Sequence, residues 1–319
     1  MTRAFVAGGA GFIGSHLVHE LLRRYDDEVV VFDNLASGQR SYLAGVLDDP
    51  RLELVVADLQ DLDRVSDAMA GCEHVYLFAA NPDIARAVTE PTIDFWQGTY
   101  LTQNVVEAAR RTGAKRITYA SGSGVYGDRG TELLDEDFGP LIPVSTYGAS
   151  KLGCEALLAA YSHMFGLDAV VFRFANVVGS RQTHGVTYDF VRRLLIDPTR
   201  LQILGDGRQS KSYIHVSDVV AAMLMLTDQG WSGFEVFNVS TIDYLTVTEI
   251  ADLVTERMGL TGVTYEYTGG RRGWKGDVPV VRFSATRLGA RGWVCGRTSR
   301  EALIESIDSN IAEASTRIA

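Results

Sequence analysis

Near the start of the chain, Ala4-Phe5-Val6-Ala7-Gly8-Gly9-Ala10-Gly11-Phe12-Ile13-Gly14 places a short apolar run directly before a cluster of glycines. The run reads as a buried strand, and the apolar spacing of His16–Arg24 predicts a helix behind the glycines. Gly9, Gly11 and Gly14 satisfy G-x-G-x-x-G, while Gly8, Gly11 and Gly14 fit close variants of it. Glycine permits the tight turn and lets backbone N–H groups approach a pyrophosphate at the positive end of a helix. By itself the motif is weak. Here it lies on a strand–turn–helix, and Asp33 closes the next apolar run about twenty residues on, where a ribose-holding carboxylate belongs. Such a carboxylate accepts from both ribose hydroxyls and repels a 2′-phosphate, so the expected cofactor is NAD and not NADP. A ligand-free glycine turn is the competing reading, and the context weighs against it. Asp58 and Leu59, after the third strand, are candidates to flank an adenine; a solvated strand end explains them equally well.

Outward from this segment the first half alternates short apolar runs with helical patterns. Strands are predicted at Val29–Phe32, Leu52–Val56, His74–Phe78, Arg116–Ala120 and Ala169–Phe174, with long helices over Ile93–Arg111 and Thr146–Phe165. Runs of this length with a helix between each pair suit strands buried on both faces of a parallel sheet. The expected fold class is α/β, a doubly wound parallel (Rossmann) sheet with a smaller, interleaved C-terminal substrate-binding lobe. Residues 1–176 are expected to form the dinucleotide domain, with 214–240 rejoining it; residues 177–213 and 241–319 form the lobe. Short helices are predicted at Tyr188–Ile196 and Val216–Thr227, and a strand at Phe234–Val239. Thr246–Met258 reads as an amphipathic helix capped by Thr246 with Glu249 three residues on.

The 319 residues carry 46% hydrophobic and 22% charged side chains, which excludes a disordered chain and leaves ample material for a core. A net charge of −10 argues against a nucleic-acid partner, which needs a basic face. Cys72, Cys154 and Cys295 lack metal or disulfide spacing, and no metal site is expected. The chain opens without a signal-peptide pattern and holds no apolar run of membrane-spanning length, so a soluble cytoplasmic protein with no membrane partner is expected.

Tyr147 and Lys151 stand four apart on a predicted helix and therefore on one face. A free tyrosine, with a pKa of about 10, is almost wholly protonated at neutral pH. A neighbouring ammonium and an oxidised nicotinamide both favour the phenolate, making Tyr147 a usable base. Tyr-x-x-x-Lys is common by chance; the glycine motif and Ser121-Gly122-Ser123 after the fifth strand change that weighting.

With these residues, the sequence resembles the extended short-chain dehydrogenase/reductase family, NAD-dependent epimerase/dehydratase group, and within it the UDP-glucose 4-epimerase-like members. The likeness runs over nearly the whole chain: GGAGFIGSH, FDNLASG, ADL, FAANP, VYGD, YGASK, RFANVVG, LGDG, SYIHVSD and RGWKGDV. It implies an isomerase that holds NAD tightly. Tyr147 would take the proton of a sugar 4-hydroxyl while hydride leaves C4, and the keto sugar would turn and be reduced on its other face. Lys151 would support the phenolate and bind the nicotinamide ribose. Besides the glycines and Asp33, the likeness puts Phe12, Ile13, Asn34, Ser37, Gly38, Phe78, Ala79, Ala80 and Phe174 around the cofactor.

Two departures from the family pattern stand out. Gly122 occupies the position of the usual catalytic Ser or Thr, leaving Ser121 and Ser123 as candidates for that hydrogen bond. Gly98 stands where relatives often carry an Asn. Related 4,6-dehydratases and decarboxylases place an acid just before Val-Tyr-Gly; here Ser123 and Gly124 precede Val125, which favours epimerisation over elimination. For the nucleotide sugar the likeness assigns Lys211 and Arg272 to phosphate, Tyr213 and Asp277 to ribose, and Asn176 to the sugar phosphates. His184 is at most a pocket rim, His215 structural, and Trp274 and Trp293 packing residues. The expected activity is UDP-glucose/UDP-galactose 4-epimerisation. The alternatives are an epimerase or oxidoreductase acting on a uronic acid or N-acetylhexosamine nucleotide, and a catalytically silent NAD-binding sensor or scaffold. Relatives pair through the two long helices, so a homodimer is expected.

Overall fold

The structure is a computed structural model and describes residues 2–318. Strands β1 (Arg3–Ala7), β2 (Glu28–Asp33), β3 (Leu52–Val56), β4 (His74–Leu77), β5 (Arg116–Gly122), β6 (Asp168–Phe174) and β7 (Phe234–Val239) form a seven-stranded sheet of order β7-β6-β5-β4-β1-β2-β3. The pairs β1–β2, β1–β4, β2–β3 and β4–β5 are parallel. The order reverses at β1, and in such sheets ligands bind beyond the carboxyl ends of the strands at the reversal. The glycine turn leaves β1 at that point. The fold is thus the doubly wound α/β sheet that the apolar runs imply.

Helices α1 (Phe12–Arg24), α2 (Leu62–Met69), α3 (Leu101–Thr112) and α4 (Thr146–Phe165) accompany the sheet. Two local expectations need correction. Between β2 and β3 there is no α-helix, only the 3-10 turn Arg40–Leu43. The helix expected over Ile93–Arg111 has a π-helical stretch, Phe95–Tyr100, before α3 begins. Gly98 in that stretch lies so close to α4 that a Cβ would collide with Ser150 Oγ, which leaves no room for an asparagine.

The chain divides into two compact units. The first comprises Met1–Gly122, Thr146–Arg173 and Val220–Phe237; the second comprises Ser123–Ser145, Phe174–Val219 and Asn238–Ala319. Residues 123–145 therefore fall in the second unit, whereas the sequence reading grouped them with the dinucleotide half. Each unit has its own core. Phe5, Phe32, Val75, Ile117, Leu158 and Val171 belong to the first, and Val191, Leu201, Ile250, Leu303 and Ile307 to the second. In the second unit, α5 (Val186–Ile196), α7 (Val247–Arg257) and α9 (Ser299–Ile318) pack together; α6 (Val216–Gln229) and α8 (Thr286–Ala290) complete the helices named here. Helix α7 carries the expected capping box: Thr246 Oγ1 accepts from Glu249 N at 3.2 Å, and the Glu249 carboxylate accepts from Thr246 N at 2.7 Å.

Candidate active site

Gly8 leaves β1 with φ +78, and a Cβ there would stand 2.8 Å from Ala79 N. A Cβ on Gly14 would collide with Gly8 O. Only bare backbone fits both places, so the first turn of α1 lies directly against the loop. Gly11 is the N-cap residue and no side chain caps the helix. The N–H groups of Phe12, Ile13 and Gly14 therefore have no intrahelical acceptor and point toward the turn, which is a seat for an anion.

Asp33, at the end of β2, is buried. Its carboxylate accepts from Ala10 N at 2.9 Å and Leu35 N at 2.8 Å, tying the glycine turn to the loop after β2. Burial pushes its pKa up, and the two backbone N–H groups oppose that rise. Asn34 donates to Asp58 Oδ2 at 2.9 Å, joining the ends of β2 and β3, while Leu59 is buried and Ser37 is exposed. Phe78 N and Ala79 N both bond Ala7 O, so the FAANP segment borders the same turn; Ala79 and Ala80 are half-buried there. These residues suit a dinucleotide: a side-chain-free turn, an uncapped helix and a carboxylate at the next strand end. Phe174, placed around the cofactor by resemblance, is buried in the second unit.

Tyr147 and Lys151 lie in the first turns of α4. Lys151 is buried; its Nζ donates to Ala120 O at 2.8 Å and stands 4.9 Å from the Tyr119 ring centre and 5.6 Å from that of Tyr147. The phenol ring is half-buried. Helix α4 is fixed by residues the sequence did not single out. Asp94, itself buried, accepts from Thr146 Oγ1 at 2.7 Å and from Asn81 Nδ2 at 2.8 Å, and its carbonyl accepts from Ser150 Oγ at 2.7 Å. Thr146 adjoins Tyr147, so Asp94 sets where the phenol begins. The only sequence signal was an acidic residue on an otherwise apolar-aromatic stretch.

The last two residues of β5 and the one after them go different ways. Ser121 Oγ is buried and donates to Glu155 Oε1 at 2.5 Å. Gly122 is half-buried. Ser123 opens the 3-10 turn Ser123–Tyr126 and is half-buried; its hydroxyl makes no hydrogen bond among the described residues. Of the two serine candidates, Ser121 is thus committed to another side chain.

In the second unit, Lys211 Nζ meets Asp277 Oδ1 at 2.8 Å, and Asp277 also accepts from Gly273 N at 3.0 Å. The expected phosphate cation and ribose acceptor are therefore paired with each other. Arg272 goes instead to Asp128, at 3.0 Å, with Arg271 at 3.5 Å from the same carboxylate. Tyr213 is buried, which pushes its phenol well up, and its N–H donates to Ser299 Oγ. Asn176 Nδ2 donates to Ser212 O at 3.2 Å on the pairing between Asn176–Val178 and Tyr213–His215. His184 is exposed beside Thr183. His215 rests against Ser217, and burial lowers its basicity. Trp293 is buried and Trp274 half-buried.

Residues 4–240 match the family described as the NAD dependent epimerase/dehydratase family. The chain belongs to that family. As an NAD-dependent epimerase/dehydratase it has NAD as its cofactor and is an enzyme of the isomerase kind. It is 35% identical over 246 residues to a UDP-glucose 4-epimerase of Mycolicibacterium smegmatis, covering 75% of this chain and 77% of that protein. A crystal structure of a UDP-galactose 4-epimerase superposes with a TM-score of 0.87 at 37% identity, covering 98% of this chain and 99% of the other. A dTDP-glucose 4,6-dehydratase of Streptomyces venezuelae, solved with NAD bound, superposes with a TM-score of 0.91 at 27% identity, covering 99% and 98%. The family is therefore firm, while its members' reactions diverge. No helix among the described residues is long and apolar enough to cross a membrane.

Proposed function

We propose that this family member is a UDP-sugar 4-epimerase acting on UDP-glucose and UDP-galactose. The observation that carries the reading is the buried Lys151 ammonium, held on Ala120 O with the Tyr147 ring 5.6 Å away. One of its three N–H bonds is used by that carbonyl, leaving two for other acceptors. A fixed cation beside a phenol favours the phenolate, so Tyr147 takes the proton of the sugar 4-hydroxyl and later returns one. NAD, when bound, accepts and gives back the hydride at C4. Gly8, Gly11, Phe12, Ile13 and Gly14 would hold its pyrophosphate, and Asp33, a ribose.

The free hydroxyl of Ser123, not the engaged one of Ser121, is assigned to the substrate oxygen. No carboxylate stands at residues 123 or 124 to remove a second proton, which supports epimerisation over dehydration. Lys211 and Arg272 are assigned to the substrate diphosphate, with Tyr213, Asn176 and Asp277 beside them. We place the enzyme in the cytoplasm as a homodimer. The exposed aromatic pair Phe95 and Trp96, with Met164 and Phe165 at the end of α4, supplies apolar surface for a second copy. Sedimentation showing a monomer at micromolar concentration would remove the dimer.

Incubating the NAD-loaded protein with UDP-galactose and following UDP-glucose tests the activity. Interconversion approaching one equilibrium from both sides is expected. A protein that leaves UDP-galactose intact, or converts UDP-glucuronate or UDP-N-acetylglucosamine far faster, overturns the assignment of substrate.

A further inference from the structure

Lys151 and Glu155 are four residues apart on α4, the spacing at which opposite charges pair along a helix. Among the described residues they form no ion pair. The Glu155 carboxylate instead meets Arg173 on β6, with Nη2 at 2.7 Å and Nε at 3.1 Å, and both side chains are only 5% exposed. Its Oε1 also accepts the Ser121 hydroxyl at 2.5 Å. Consecutive residues of β5 therefore sort the two charges: the Ala120 carbonyl takes the ammonium and the Ser121 hydroxyl takes the carboxylate.

We propose that Ser121 is a positioning residue, which together with Arg173 keeps the Glu155 carboxylate turned away from Lys151 so that the ammonium acts undiminished on Tyr147. The inference rests on the reading of Tyr147 as the base. A carboxylate swinging one helical turn toward Lys151 would cancel its charge, and in a buried setting that pairing is strong. Arg173 holds the carboxylate from the β6 side through two N–H groups. The short bond from Ser121 supplies the second, fixed point. The charged and titratable groups on the elements that meet here include Lys151, Cys154 and Glu155 on α4, Tyr119 on β5, Arg173 against Glu155 on β6, and Asp94, whose carboxylate holds Thr146 beside the phenol.

The test compares Ser121→Ala and Ser121→Thr with the wild type, all as NAD-loaded protein. Turnover of UDP-galactose is measured across pH, and Tyr147 ionisation by ultraviolet difference titration against Tyr147→Phe. In Ser121→Ala the acid limb of kcat and the phenolate signal should both move to higher pH. That costs about tenfold in kcat near pH 7, recovered largely by about pH 9, with KM unchanged. Ser121→Thr, which keeps the hydroxyl, should restore both. An unmoved acid limb, a loss equal at every pH, or a Ser121→Ala protein that no longer melts cooperatively would make the residue merely structural and overturn the proposal. If the wild type shows no phenolate signal beyond Tyr147→Phe, the base itself is misassigned. If it shows one that Ser121→Ala leaves in place, only the role of Ser121 falls.

Discussion

Gly38 closes on Asp33 so tightly that a Cβ on the glycine would stand 2.9 Å from both carboxylate oxygens. The loop after β2 is thus folded over the side chain proposed to hold the ribose, and nothing larger than hydrogen fits at residue 38 without moving it. Gly38→Ala should weaken NAD binding about tenfold or more and also lower the melting temperature of the NAD-free protein, since the added Cβ meets backbone at Ala10 as well as Asp33. Calorimetric titration with NAD decides this, and wild-type affinity in the variant would show that Asp33 does not set the cofactor's seat.

Lys151→Met removes the charge beside Tyr147 while keeping an unbranched chain of similar length. We expect kcat to fall about 10²–10⁴-fold, with Tyr147→Phe falling comparably and the double variant little further, as for groups acting together. Turnover assays on proteins of verified NAD content provide the check. Additive losses would mean the two residues act separately.

Lys211→Met strands the Asp277 carboxylate, which is 6% exposed and, among the described residues, keeps only Gly273 N as partner. Removing one member of such a pair costs about 3–5 kcal/mol. Urea unfolding should register most of that loss, and adding Asp277→Leu should recover much of it. A stable Lys211→Met protein would show that water already reaches the aspartate.

His74 stacks on Tyr76 at 4.0 Å, meets Trp231 at 5.3 Å and bonds Thr118 Oγ1 at 2.9 Å. Burial, aided by Arg116, pulls its pKa down to about 3 from 6.5. The native state keeps the ring neutral while the unfolded chain protonates it. The contribution is therefore complete above about pH 6.5 and drains away as pH falls toward 3. Between pH 7 and 5 this group should cost about 1–2 kcal/mol. Replacement by Asn should flatten that part of the stability curve in urea titrations at the two pH values; an equally steep variant would clear His74.

The sheet and the cofactor turn were readable because their signals are local. Val29–Phe32 is apolar at every position, as a strand covered on both faces must be, and the glycines of Gly8–Gly14 answer to backbone contacts within the same loop. The spacing of Tyr147 and Lys151 likewise follows from one helix. What could not be read depends on partners far away in the chain. Asp94 meeting Thr146, Ser121 meeting Glu155, and Arg272 choosing Asp128 over a role with Asp277 are pairings that no periodicity encodes. The strands of the second unit outside the main sheet span two to four residues, too few for alternation to register. Helix α9, by contrast, carries a local signal: Leu303, Ile307 and Ile311 at helical spacing, behind Thr298 and Glu301, which bond each other's backbone N–H groups.

The π-helical stretch before α3 also bears on how the enzyme tolerates length changes. A π turn holds one residue more than an α turn closing over the same rise. Deleting a residue from Phe95–Tyr100 would let the stretch close to ordinary α pitch while the helix on either side stays nearly in phase, so Asp94 would still face Thr146 and Asn81. A single-codon loss there should spare the reacting phenol, whereas the same loss within regular helix would turn everything upstream by roughly 100°.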